Sequence, residues 1–300
     1  MSLKKSAYLA SILLMVCSSV FAQGPGHLRN EQPPIPVDEI IRRFAEKEKQ
    51  FKIARANYVY RQDNRVQTLT ADDRVTGEWH EVWDITFDPR GKRVERVVSA
   101  PPNTLRDISL TPEDLNDLRE IQPFVLTSDD IAKYSVKYLG KEKIDEIDCY
   151  VFDVAPKVLE KNQRYFQGQI WVDDKDLQIV KTYGKAVPDI KKGGGENLFP
   201  RFETYREQID GKYWFPTYTR AVDTLQFSTG ARRIRQVVKY DNYKQFQSDV
   251  KLTFGDAVEN ENGKGPATSG DNKAPALDPA LKSPSSTKKK QPPVAPIALN

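Results

Sequence analysis

Chemistry near neutral pH most often draws on histidine, and this chain has two, His27 and His80. His27 sits in a Gly- and Pro-rich lead-in. His80 alternates with Glu78 and Asp84 along one strand-like run, so a His–carboxylate pair is available there; a satisfied surface histidine is the expected role. Serine chemistry of the strand–turn–helix kind needs a GxSxG elbow, and none occurs. Asp173, Asp174 and Asp176 gather three acids in DDKD, without the Gly and terminal Glu that a calcium loop requires. They read as a hairpin turn with solvated carboxylates. Gly193-Gly194-Gly195 stands beside lysines but lacks the GxxxxGK[ST] spacing of a phosphate cradle, and reads as a hairpin loop. The expectation is a non-catalytic protein with no metal and no cofactor.

The chain of 300 residues opens with Lys4 and Lys5, an apolar run over 7–17 and a Val20-Phe21-Ala22 cleavage pattern before Gln23. This is the pattern of a secretory signal peptide over 1–22, and the apolar run is too short to span a membrane. Val16 precedes Cys17 where a lipid-anchor signal needs a small residue, so soluble release is expected. Losing Lys4 and Lys5 brings the formal net charge from +4 to +2, too small and too scattered for nucleic acid. The mature chain keeps one thiol, Cys149, mid-strand, expected buried and inert.

The elements follow from periodicity. Residues 23–36 form a lead-in without pattern. VDEIIRRFAEKEKQF then places Ile40, Ile41, Phe44 and Phe51 on one helical stripe, with Asp38 and Glu39 in the first turn. Residues 54–70 read as one or two strands about a Gln62-Asp63-Asn64 turn. Residues 77–99 read as a hairpin with Trp79, Trp83, Ile85 and Phe87 on one face. Thr111-Pro112-Glu113-Asp114 reads as a capping box opening a short helix with Leu115, Leu118 and Ile121. Across 133–186, four runs rich in Tyr, Val, Ile, Phe and Trp are separated by short polar breaks, the signature of antiparallel strands. A further hairpin turns at Ile209-Asp210-Gly211, with Pro216 demanding an edge or a bulge, and ARRIRQVVKYDNYKQF closes the sheet. The folded domain is expected over 37–254, with nine to eleven strands and two helices. Beyond it, 255–300 is Pro/Lys-rich without aromatics and reads as a disordered tail.

An aromatic antiparallel sheet under amphipathic helices can enclose an apolar cavity suited to acyl chains. The lining candidates are Tyr60, Trp79, Trp83, Phe87, Tyr138, Phe152 and Trp171, each also eligible as plain core. The run GKEKIDEIDCYVFDVAPK, followed by GQIWVDDKDLQIVKTYG and later GKYWFPTYTRA, resembles the outer-membrane lipoprotein-sorting superfamily (LolA/LolB-like, including RseB-like). That resemblance covers about 37–254. It implies an α+β, mainly antiparallel fold: a bent half-barrel with helices on its concave face. It also implies a periplasmic carrier holding a lipid or lipoprotein acyl chain, and sets Arg61 as the candidate for the carriers' lid-locking arginine. The charged insertion at 191–197 and the tail depart from the carriers. The alternative is an envelope interaction or stress-signalling module that binds a protein partner through a sheet edge and the tail.

Overall fold

The structure is a computed structural model that describes residues 27–192 and 195–246. The leader, the cleavage site, Gly193, Gly194 and the 255–300 tail lie outside the described residues. Residues 27–36 hold no helix or strand of their own, but Arg29 bridges Lys141 in antiparallel fashion. Gly140 permits this approach, because a side chain there would strike the Arg29 carbonyl.

Helix α1 (Val37–Arg55) buries Ile40, Phe44, Ala45, Glu48 and Phe51. Strands β1 (Tyr58–Leu69), β2 (Val75–Phe87) and β3 (Arg93–Ser99) follow. The expected turn at Gln62-Asp63-Asn64 is absent; β1 runs straight through it. Gln62 and Asn64 point inward, fully buried. They bond each other at 2.8 Å, and Arg93 donates to Gln62 at 2.8 Å. Turn-prone side chains are tolerated inside a strand when the interior satisfies them.

Helix α2 (Pro112–Asn116) carries the anticipated capping box. It gives way to a π-helical turn, Asp117–Ile121, rather than continuing as α-helix. Strands β4 (Tyr134–Ile144), β5 (Ile147–Pro156), β6 (Tyr165–Asp173) and β7 (Ile179–Val187) are the four runs of the 133–186 stretch. A small ribbon of β8 (Ile190–Lys192) and β9 (Gly195–Asn197) flanks the glycine run. Strands β10 (Phe202–Gln208), β11 (Trp214–Phe227) and β12 (Gly230–Gln245) complete the regular structure of the described residues. Pro216 sits at a bulge, where Tyr205 pairs Tyr218 but Arg206 pairs Pro216. It also lies before β11 begins pairing with β12 at Tyr218, so its missing N–H costs no ladder bond there.

Ten strands form one antiparallel sheet in the order β3-β2-β1-β12-β11-β10-β7-β6-β5-β4. The sheet is open, with β3 and β4 at its edges, and it is bent. Laid flat, it would span roughly 43 Å at about 4.8 Å per strand spacing. Yet Arg119 reaches Glu95 on β3 at 2.9 Å, and Phe124, five residues on, packs its ring 5.9 Å from Tyr134 on β4. One short segment touches both edges because the sheet curls around it. The fold is the α+β half-barrel anticipated, with α1 and the segment from 111 to 126 inside the curl.

The inner face carries the main core. Phe44 of α1 packs on Phe152 at 5.4 Å, and Phe51 meets Phe215 edge-on at 5.2 Å. A smaller cluster of Cys149, Val151, Trp171 and Val180 covers the reverse face. Burial pushes the Cys149 thiol up to about 12, so it stays protonated and unreactive.

One buried ion pair crosses the inner core. Arg206 of β10 contacts Glu48 of α1 at 3.1 Å, both essentially inaccessible to solvent. The Ile179 amide donates to Glu48 at 3.2 Å, and Arg206 also donates to the Phe124 carbonyl. Breaking such a pair leaves an uncompensated buried charge, at a cost of about 3–5 kcal/mol. Glu48→Ala or Arg206→Ala therefore loses roughly that much unfolding free energy in urea titration. The double replacement Glu48→Leu/Arg206→Met loses less than either single one; additive losses would contradict the coupling.

Candidate functional site

A cavity of about 560 Å³ lies where β11 turns into β12. The sheet supplies its back wall through Val66, Phe202, Leu225, Phe227 and Ile234. The strap over residues 103–110 forms the facing wall with Leu105, Ile108 and Leu110.

The strap is fastened at both ends. At its start, the Thr104 amide donates to the Glu78 carbonyl at 2.9 Å, and the Glu78 amide donates to the Thr104 hydroxyl at 2.8 Å. Gly77 makes room: a Cβ there would lie 2.6 Å from the Thr104 carbonyl oxygen. At its end, the capping box locks Thr111 to Asp114, whose carboxylate accepts from the Thr111 amide at 2.7 Å and its hydroxyl at 2.8 Å.

The deep end is polar. Asp117 and Gln122 line it from the π-helical turn, and Gln236 lines it from β12. Arg164 holds Asp117 at 2.7 Å, donates to the Pro188 carbonyl and stacks 3.8 Å from the Phe199 ring centre. Burial outweighs Arg164 and pushes the Asp117 carboxyl up to about 6. Asp114 is raised too, again chiefly by burial.

None of the seven aromatic candidates lines this cavity. Tyr60 takes a hydrogen bond from Arg93 at 2.8 Å and stacks on Tyr243 at 5.0 Å. Trp79 and Trp83 meet edge-on at 6.3 Å, the Arg119 guanidinium lies over the Trp83 ring at 5.1 Å, and partly buried Phe87 packs on the same cluster. Tyr138 and Phe152 pack together at 5.6 Å beneath α1. Trp171 is on the other face altogether. Phe152 pairs with Ile170 and Val151 with Trp171, so period-two alternation turns the Trp171 ring away from Phe152. There its indole donates to Glu142 at 2.8 Å, and Lys181 sits over the ring at 5.0 Å.

Arg61 is also placed outward, paired with Asp84 at 2.8 Å and half exposed; the buried arginine is Arg206. His80 pairs with Asp63 at 3.0 Å rather than with Glu78 or Asp84. In the DDKD turn, Asp173 accepts from the Lys175 amide, Asp174 pairs Lys141 at 2.7 Å and Asp176 accepts from Gln208. Among the described residues no three His, Cys, Asp or Glu side chains stand close enough to share a metal ion, and no helix is long and apolar enough to cross a membrane. The strap residues Leu105, Ile108 and Leu110 were not among the expected lining residues; their apolar character just ahead of the capping box is the signal that marks them. Gln122 and Gln236 carried no such signal.

An open, bent antiparallel sheet with a strapped side cavity defines the class of this protein. A family model described as "-like: Uncharacterized protein" matches residues 61–243, more than half of the chain, and the chain belongs to that family. No curated protein matches it. Among solved structures, a DUF1329 family protein from Desulfovibrio piger is similar at 17% identity and TM-score 0.37, covering 73% of this chain and 95% of that one. A LolA superfamily protein from Nitrosomonas europaea is similar at 13% identity and TM-score 0.30, covering 68% and 94%. The Pseudomonas aeruginosa MucA/MucB complex contains a chain similar at 11% identity and TM-score 0.20, covering 64% and 92%. TM-scores this low establish no shared function.

Asp117 gives the site a pH signature. Its folded pKa of about 6 lies above the ordinary 3.8. A raised carboxyl contributes stability that is present below pH 3.8 and is lost as pH rises through 6. Relative to Asp117→Asn, the wild-type protein therefore loses on the order of 1–3 kcal/mol of unfolding free energy across that window. Denaturant melts of both proteins across the window measure this; parallel pH profiles would refute it.

Proposed function

We propose that this is an exported, non-catalytic binding protein of the cell envelope that holds the acyl chain of a lipid or lipoprotein. The cavity behind the 103–110 strap carries this reading. Its volume of about 560 Å³ falls in the roughly 300–1,000 Å³ range of small-ligand sites. Aliphatic and aromatic side chains of the strap and the sheet make up about half of its walls, and each methylene buried against them contributes about 0.8 kcal/mol. Six of the seven aromatics then act as the packed wall behind the cavity and under α1 rather than as contacts, and Trp171 stands apart on the reverse face. Export rests on the 1–22 leader pattern, and a periplasmic location follows from the family resemblance of the hairpin runs.

A second reading has its own observation. Edge strand β3 exposes Val94, Val97 and Val98 at 47%, 54% and 40%, and its outer edge pairs with no described strand. Such an edge accepts a strand from another protein.

Titration with an apolar fluorescent fatty acyl probe, alongside native mass spectrometry of the purified protein, separates the two readings. The acyl reading expects saturable one-to-one binding that Leu110→Trp or Leu225→Trp lowers at least tenfold, while Val97→Lys leaves it intact. Binding that ignores both tryptophans, or fails altogether, overturns it.

A further inference from the structure

The deep end of the cavity holds a buried polar atom that the fold leaves without a partner. The Gln122 side-chain oxygen is buried and makes no hydrogen bond among the described residues. Gln122 and Gln236 are 4% and 6% exposed, and both line the cavity. Gln236 stands across from Val66 on β1 and Ala221 on β11, two residues further in than Ile234. The Gln122 main chain is fixed, its carbonyl accepting from the Thr204 hydroxyl at 2.9 Å. Behind it Thr204 bonds Thr219 at 2.7 Å, while the buried Thr182 hydroxyl, paired in register with Thr204, is also unpartnered.

A buried amide is normally hydrogen-bonded, and leaving it unpaired is unfavourable. A primary amide offers both a donor and an acceptor, and its oxygen and nitrogen can exchange places by rotation. The group it would take must do the same. The charges nearby exclude an anion. Asp114 and Asp117 both line the cavity, and Arg164, the cation beside them, is engaged by Asp117 and the Pro188 carbonyl. The lining arginine, Arg106, belongs to the exposed part of the strap.

We infer that the cavity takes an uncharged amphipathic ligand, with an amide or hydroxyl head inward against Gln122 and Gln236 and its hydrocarbon along the strap. This rests on the acyl-binding reading and specifies the ligand's polarity and orientation. A free fatty-acid anion meets the Asp114 and Asp117 carboxylates in the lining; a fatty amide or alcohol meets complementary groups.

The test uses the full chain and an apolar fluorescent probe, displaced by equal-length long-chain compounds at neutral pH: a primary amide, an alcohol, a methyl ester and a carboxylate. The amide and alcohol are expected to displace the probe at about tenfold lower concentration than the ester, the effect of one net hydrogen bond, with the carboxylate weakest. Gln122→Leu/Gln236→Leu is expected to erase that preference while still binding the ester. Equal displacement by all four compounds, a carboxylate preference, or a preference unchanged in the double variant overturns the inference and leaves acyl binding standing. Absence of any saturable probe binding overturns the acyl reading itself, and this inference with it. The ligand series on the wild-type protein decides the matter even if the double variant does not fold.

Discussion

The contact between Glu48 and Arg206 organises the inside of this protein. It joins the sole long helix of the described residues to the middle of the sheet, with both charges out of reach of water. A buried pair of this kind adds little net stability over an apolar substitute, but it is intolerant of losing one partner. Its value here is positional. Arg206 reaches past Glu48 to the Phe124 carbonyl and lies over the Phe51 ring at 5.1 Å, and Glu48 takes the Ile179 amide. Helix, β7, β10 and the returning segment are thereby fixed to one another. Two residues before Phe124 stands Gln122, so the same contact that seats α1 also sets the deep end of the cavity.

Around that contact the curl of the sheet is filled unevenly. Under α1, aromatic rings pack against aromatic rings, with Phe124 stacked on Phe166 at 4.4 Å. Toward the β11–β12 turn the filling comes from the strap and a single turn of helix, which are too small to occupy the space. Well-packed interiors leave few voids larger than a water molecule. The space of about 560 Å³ left here opens to solvent and is lined by aliphatic and polar side chains together, so it is a cleft at the surface of the core rather than a packing void. The strap is held by its two ends, at Thr104 and Thr111, and its middle lies exposed between them.

Polar residues inside the curl follow one rule with a few departures. Gln62, Asn64, Thr204, Thr219 and Arg206 are all buried and all bonded. Gln122 and Thr182 each leave one buried oxygen unbonded. Among the described residues, other unbonded buried atoms, on Arg55, Gln178, Trp214 and Arg232, lie elsewhere in the fold; Gln122 is the one that lines the cavity, where a ligand rather than the protein can complete the bonding.

Much of the fold was legible along the chain, because period-two alternation and turn chemistry are local properties. The four strands of 133–186, the stripe of α1, the Thr111 capping box and the Pro216 bulge all follow from neighbours within a few residues. The site was far less legible. Aromatic residues marked the sheet's buried positions, but whether a buried position faces packed core, open cavity or the reverse face depends on register between strands. That is how Trp171, one residue from Ile170, came to lie opposite the face it was assigned. Gln62-Asp63-Asn64 carried turn chemistry, yet partners supplied by Arg93 and Leu118, distant in sequence, drew it into a strand. Glu48 shared the helical stripe with Phe44 and Phe51, and only the arrival of Arg206 made a charge tenable there. The sequence alone determined an antiparallel sheet with an amphipathic helix and no evident catalytic set. The tertiary structure alone decided where the sheet was left unfilled, because a cavity is made by elements that fail to meet, and no local pattern records that.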